Sequence, residues 1–170
     1  ESSESHKEIT MKVDLHVHSR FSHRPSVWVL QKLGCAESYT EPRDLYRIAM
    51  ERGMDAVTIT DHNAIAGCLE IADLPNTFVG CEVTTYFPED RCKLHVLTYR
   101  ISETQFKEID SLRENVFELI PYLAQEKIMH SLAHPLGAVN DRMTVEHFEQ
   151  CLLLFKHFEL NRNQDAMVNH

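Results

Sequence analysis

The stretch Met11-Lys-Val-Asp-Leu-His16-Val-His18, answered downstream by Asp55-Ala-Val-Thr-Ile-Thr60-Asp-His62, decides how this chain is read. The first alternates apolar and polar residues over 11–16, the period-two pattern of a strand. The second is β-branched and apolar enough to be buried on both faces over 55–60. Between them, Thr40-Glu-Pro-Arg-Asp-Leu45 predicts a helix start. Thr40 is the expected N-cap, Pro42 suits the first turn, Leu45, Ile48 and Ala49 form the apolar stripe, and Gly53 ends it. Strand, helix, strand is the repeating unit of a parallel sheet.

The alternation continues along the chain. A short helix is expected over 64–71, a third strand over 77–81 and a fourth over 93–98. Ser102, with Gln105 three residues on, predicts a capping box. The helix it starts should run to about residue 127, kinked or split at Pro121. A fifth strand is expected over 128–133. Thr144 should cap a helix to about 154, and a sixth strand follows over 158–161. Residues 19–41 contain Pro25 and Gly34 and show no clean period, so they read as a long loop. The polar residues 1–10 read as a disordered tail. The pattern predicts an α/β fold with a parallel sheet and crossover helices, open or closed into a barrel. In such folds the site lies at the carboxyl ends of the strands.

Composition narrows the function. The chain has 170 residues and a net charge of −9. That length suits one domain, and that charge argues against gripping duplex nucleic acid through a basic face. No run of about 18 apolar residues exists, so no membrane span is expected. Five cysteines, an odd number without a C-x-x-C pair, read as reduced thiols in a cytoplasmic protein.

The chemistry lies in the polar residues at the strand ends. His16 and His18 end the first strand, Asp61 and His62 the second and Glu82 the third. The fourth carries His95, and the fifth ends in His134-Pro135. Residues i and i+2 of a strand share a face, so His16 and His18 should aim at one point. Imidazoles and a carboxylate gathered at one sheet edge suit Zn, Mn or Fe. His23, in the loop, is a further candidate ligand. Arg20 is a candidate for holding a substrate phosphate, because guanidinium matches phosphate with two parallel bonds. Asp61, beside His62, is a candidate for orienting a ligand.

Asp14-Leu-His-Val-His-Ser19, Gly53-Met-Asp-Ala-Val-Thr-Ile-Thr-Asp-His-Asn63, Gly80-Cys-Glu82 and Ala133-His-Pro135 resemble, in order and spacing, the successive motifs of the PHP (polymerase and histidinol phosphatase) superfamily. The resemblance covers roughly residues 11–161. It implies a distorted (β/α)7 barrel, incomplete here at about six strands, in a PHP domain spanning 11–170. It also implies two or three divalent metal ions. On that resemblance His16, His18, His23, His62, Glu82, His95 and His134 match ligand positions. His16, His18 and Glu82 would hold one ion, with Glu82 bridging to a second completed by His95 and His134. His23 and His62 would hold a third. The family's later Asp-x-His is absent from this sequence, which therefore reads as part of a longer protein.

The activity expected is hydrolysis of a phosphomonoester or phosphodiester by a metal-bridging hydroxide. A small phosphorylated molecule or a nucleotide is the expected substrate. A C–N hydrolase of amidohydrolase type and a non-catalytic, regulatory metal-binding module remain as alternatives.

Overall fold

The computed structural model describes residues 10–22, 37–135 and 143–160. The expected tail over 1–9, and His23 in the long loop, lie outside the described residues.

The described residues build five strands and five helices in this order: β1 (Val13–Asp14), α1 (Pro42–Glu51), β2 (Ala56–Val57), α2 (Ala66–Leu69), β3 (Gly80–Tyr86), β4 (Lys93–Tyr99), α3 (Glu103–Leu112), α4 (Val116–Gln125), β5 (Met129–Leu132) and α5 (Val145–Leu154). β1 and β2 pair in parallel, with Val13 opposite Ala56. The side chain of Asp55 fixes this register by accepting the backbone N–H of Lys12 at 2.8 Å. Beyond the two strands the pairing continues as separate bonds, Thr58 N to Asp14 O at 3.2 Å and Thr60 N to Val17 O at 2.8 Å.

β3, β4 and β5 form an antiparallel sheet in that order. Here the all-parallel expectation is corrected. The third strand was expected to stop at residue 81, leaving room before the fourth. It runs instead to Tyr86, leaving only residues 87–92 as a connection. A parallel crossover needs about a dozen residues or more, so a hairpin is the only short solution. Single parallel bridges, Val57 with Thr77 and His62 with Glu82, join β2 to β3. Another, Leu132 with Phe158, sets the chain at Phe158 beside β5 where the sixth strand was expected. The strand order is thus β1, β2, β3, β4, β5, then residue 158. Among the described residues the barrel does not close.

Other boundaries also shift. The first helix is capped at Glu41 rather than Thr40, with no side-chain cap bond, while the carbonyl of Thr40 accepts the N–H of Arg20 at 3.0 Å. The long helix divides at residues 113–115, not at Pro121. Asn115 caps a new helix there by accepting the N–H of Phe117, and α4 runs through Pro121. The Ser102–Gln105 capping box forms as expected, and Thr144 caps α5 in a box with His147.

The sheet buries one face under helices. Cys81, Val83, Leu94, Val96 and Leu132 point that way and pack against Ile109, Leu119, Leu123 and Cys151 from α3, α4 and α5. Burying an aliphatic side chain of this size stabilises by roughly 1.5–3 kcal/mol. α1 and α2 cover the other half, where Leu45, Ile59, Cys68 and Ile71 meet. Cys68, Cys81 and Cys151 are buried free thiols, and Cys92 is buried as well. No helix among the described residues is long and apolar enough to cross a membrane.

Gly67 in α2 shows how tightly this half is packed. A Cβ there would collide with the carboxylate of Asp61 and stand 2.6 Å from Ser19 Oγ. Gly67→Ala should therefore destabilise the chain by roughly 1–3 kcal/mol, read as a lower urea midpoint. An unchanged midpoint would contradict the packing described.

Candidate metal centre

The opposite sheet face carries the polar residues. Register sets Glu82 against Leu97 and Thr84 against His95, so Glu82 and His95 share that face. Leu97, Tyr99 and Ala133 form a small apolar cluster beside them.

Three consecutive residues after β2 fix the approach to Glu82. Asp61 is fully buried and accepts both the N–H and the hydroxyl of Ser19 at 2.6 Å. It thereby anchors the backbone just after His18 rather than any ring nitrogen. Burial pushes the Asp61 carboxyl up, against the two bonds from Ser19. His62 bridges to Glu82 through the backbone. Asn63 takes a left-handed conformation at φ 49°, which Asn tolerates better than most residues. Its amide clamps Thr84, accepting the N–H at 2.8 Å and donating to the hydroxyl at 3.1 Å.

Five histidines converge on the carboxylate of Glu82. Oε2 lies 3.1 Å from His16 Nε2, 3.1 Å from His18 Nε2 and 3.4 Å from His62 Nδ1. Oε1 lies 2.9 Å from both His95 Nδ1 and His134 Nε2. Burial would push the Glu82 carboxyl up. Hydrogen bonds from His134, His16, His18 and His95 outweigh it and hold the group far below the usual carboxylate range.

Four of these histidines divide into two groups that share Glu82. His16, Glu82 and His134 present donor atoms within reach of one ion, and His18, His62 and Glu82 do the same. This differs from the expected grouping of His16 with His18. That expectation carried period-two geometry through to His18, but β1 ends at Asp14. The two rings stand edge to face at 73°, 5.1 Å apart, and serve different groups. His95 lies beside His134, Nδ1 to Nε2 at 3.4 Å.

Two carboxylates that drew no attention in the sequence stand outside this ring. Glu159 Oε1 meets His16 Nδ1 at 2.9 Å. Glu37 Oε2 lies 3.4 Å from His62 Nε2 and 3.8 Å from His18 Nδ1, and accepts the Ser22 hydroxyl at 2.6 Å. Burial raises both carboxyls, but their histidine neighbours bring both below the ordinary value. Burial also opposes a charge on His16, yet Glu159 and Glu82 lift its pKa to about 10. At His95 burial prevails over Glu82 and pushes the pKa down to about 4.

The residues fit a pair of divalent cations. Imidazole nitrogens and one shared carboxylate oxygen pair are suitable donors for Zn, Mn or Fe. Among the described residues His62 Nδ1 is buried without a hydrogen-bond partner, with Glu82 Oε2 in ion-pair range but not in hydrogen-bond geometry. A cation would take that lone pair.

Arg20 is otherwise engaged. Its guanidinium meets Glu41 at 2.6 Å and Glu70 at 3.3 Å and lies over the Phe21 ring. The structure gives it acidic partners on the surface.

Comparison with known proteins places the fold. No family model matches the chain. An uncharacterized protein of Methanocaldococcus jannaschii is 38% identical over 80 residues, 44% of this chain and 45% of that protein. The match thus spans less than half of the curated relative. A candidate metal-dependent phosphoesterase from Bifidobacterium adolescentis superposes with a TM-score of 0.67 at 14% identity, over 95% of this chain and 81% of that one. An amidohydrolase from Chromobacterium violaceum, solved with bound sulfate and no metal, superposes with a TM-score of 0.54 at 16% identity, over 84% of this chain and 72% of that one. The chain therefore shares a mixed α/β fold with a candidate metal-dependent phosphoesterase and with an amidohydrolase.

Because both groups share Glu82, Glu82→Gln should impair both at once. Metal analysis after loading with Zn or Mn should fall from about two ions per chain, one for each group, to near none. Retention of one tightly held ion would show that Glu82 is not shared.

Proposed function

We propose that this chain is the metal-binding core of a PHP-type phosphoesterase acting on a small phosphorylated molecule or a nucleotide. The observation that carries the reading is one buried carboxylate shared by two histidine groups. Ions held by His16, Glu82 and His134 and by His18, His62 and Glu82 would neutralise phosphoryl oxygens and lower the pKa of a water nucleophile.

The protein's own residues supply the positioning. Glu82 fixes the spacing of the two groups. Asp61 and Asn63 fix the backbone on either side of His62, so His18, His62 and Glu82 keep their mutual geometry. His134 sits at φ 30°, a left-handed backbone seldom adopted by a residue with a side chain. Strain of this kind is tolerated where surrounding contacts over-determine it, as at ligand clamps. The Glu159 carboxylate accepts the His134 N–H at 2.8 Å, which is such a contact. No Ser or Cys nucleophile is needed. The chain's charge of −9 suits a substrate drawn by the ions rather than by a basic surface.

Hydrolysis of a C–N bond is the second reading, favoured by the fold shared with the amidohydrolase. The expected setting is the cytoplasm. The activity, substrate and partners of any longer protein containing this chain are part of the same proposal.

Replacing His16 and His18 together by Ala should reduce hydrolysis of a chromogenic phosphate ester by the Mn-loaded chain to background, with little change in far-UV circular dichroism. Turnover equal to wild type would place the site elsewhere. Turnover of amide substrates but not phosphate esters would favour the second reading.

A further inference from the structure

Glu159 uses both carboxylate oxygens on one half of the cluster. Oε1 meets His16 Nδ1 at 2.9 Å, and Oε2 accepts the backbone N–H of His134 at 2.8 Å. Its own N–H donates to Leu132 O at 2.9 Å, next to the bridge between Leu132 and Phe158. The residue's backbone is therefore pinned to β5 while its side chain reaches the end of β1. It joins chain segments 143 positions apart across the side where the strands do not close.

The two residues it holds are the two histidines of one group, His16 and His134 with Glu82. His16 lies between two carboxylates, Glu159 on Nδ1 and Glu82 on Nε2. A neutral imidazole carries one N–H and one lone pair. With the N–H directed to Glu159, the lone pair on Nε2 is left for an ion. His134 needs a different kind of support, because its backbone sits at φ 30°. The bond from its N–H to Glu159 holds the turn that presents its ring. Glu37 reaches only the other group, at His18 and His62.

We propose that Glu159 is a positioning residue for one of the two ions: it sets the tautomer of His16 and holds the backbone turn of His134, and so tunes the His16–Glu82–His134 centre alone. This rests on the metal-centre reading above. A carboxylate behind a ligating histidine fixes the ring and raises its basicity, and losing one typically costs roughly 10–100-fold in metal affinity.

The test is a Co2+ titration of the full chain, stripped with chelator, followed by the visible absorption of the bound ion and by competition with a chelating dye. Wild type should bind two ions. In Glu159→Gln the amide offers one acceptor oxygen instead of two, so one of the two bonds is lost. One ion should remain at wild-type affinity, and the other should weaken roughly 10–100-fold with a changed spectrum. Glu159→Asp keeps two acceptor oxygens on a shorter stem and should weaken the same ion less. It also decides the matter if the Gln variant fails to fold. A merely structural role would lower the melting temperature of the metal-free chain and weaken both ions alike, which would overturn the proposal. Two ions bound at unchanged affinity in both variants would overturn it as well. Wild-type chain that takes up no ion would overturn the metal-centre reading and this proposal with it.

Discussion

A carboxylate with no solvent exposure stays ionised only if its surroundings replace the water it has lost. Glu82 meets that condition with five imidazoles, three on one oxygen and two on the other. The rest of the fold can be understood as the means of delivering them. β3 runs on to Tyr86 and pairs back with β4, which puts His95 beside Glu82. Asp61 ties down the loop after His18, and Gly67 leaves the space this requires. Asn63 clamps β3 two residues beyond Glu82. Each device serves geometry at one point.

Crowding of this kind is costly for a protein that holds no cation. Five rings crowd their nitrogens around two carboxylate oxygens that only accept, so each must turn an N–H toward Glu82, and among the described residues one buried ring nitrogen, His62 Nδ1, finds no hydrogen bond. His16 is pushed toward the protonated form and His95 toward the neutral form. Divalent ions relieve both difficulties, since they need deprotonated ligands and supply the positive charge that Glu82 lacks.

The sequence made the convergence legible but not its internal order. Strand-end histidines and Glu82 could be placed at one sheet edge, because burial patterns mark strands and strand ends mark sites. The pairing of His16 with His134 could not be read, since it depends on β1 stopping at Asp14 rather than continuing to His18. The hairpin between β3 and β4 was hidden by a strand taken as too short. Val83, Thr84 and Thr85 extend the strand and leave a six-residue connection over 87–92. Glu159 carried a usable signal, being an acidic residue within the expected sixth strand over 158–161. Glu37 carried none, because loop geometry over a long irregular segment leaves no periodic trace.

The central claim is that one buried carboxylate holds two ions. Anomalous scattering from a crystal of the Mn- or Zn-loaded chain tests it most directly. The account predicts two peaks about 3.5–4 Å apart, one between His16 and His134 and one between His18 and His62, with Glu82 touching both. Peaks away from Glu82, or a single ion that leaves one histidine group without metal, would contradict it.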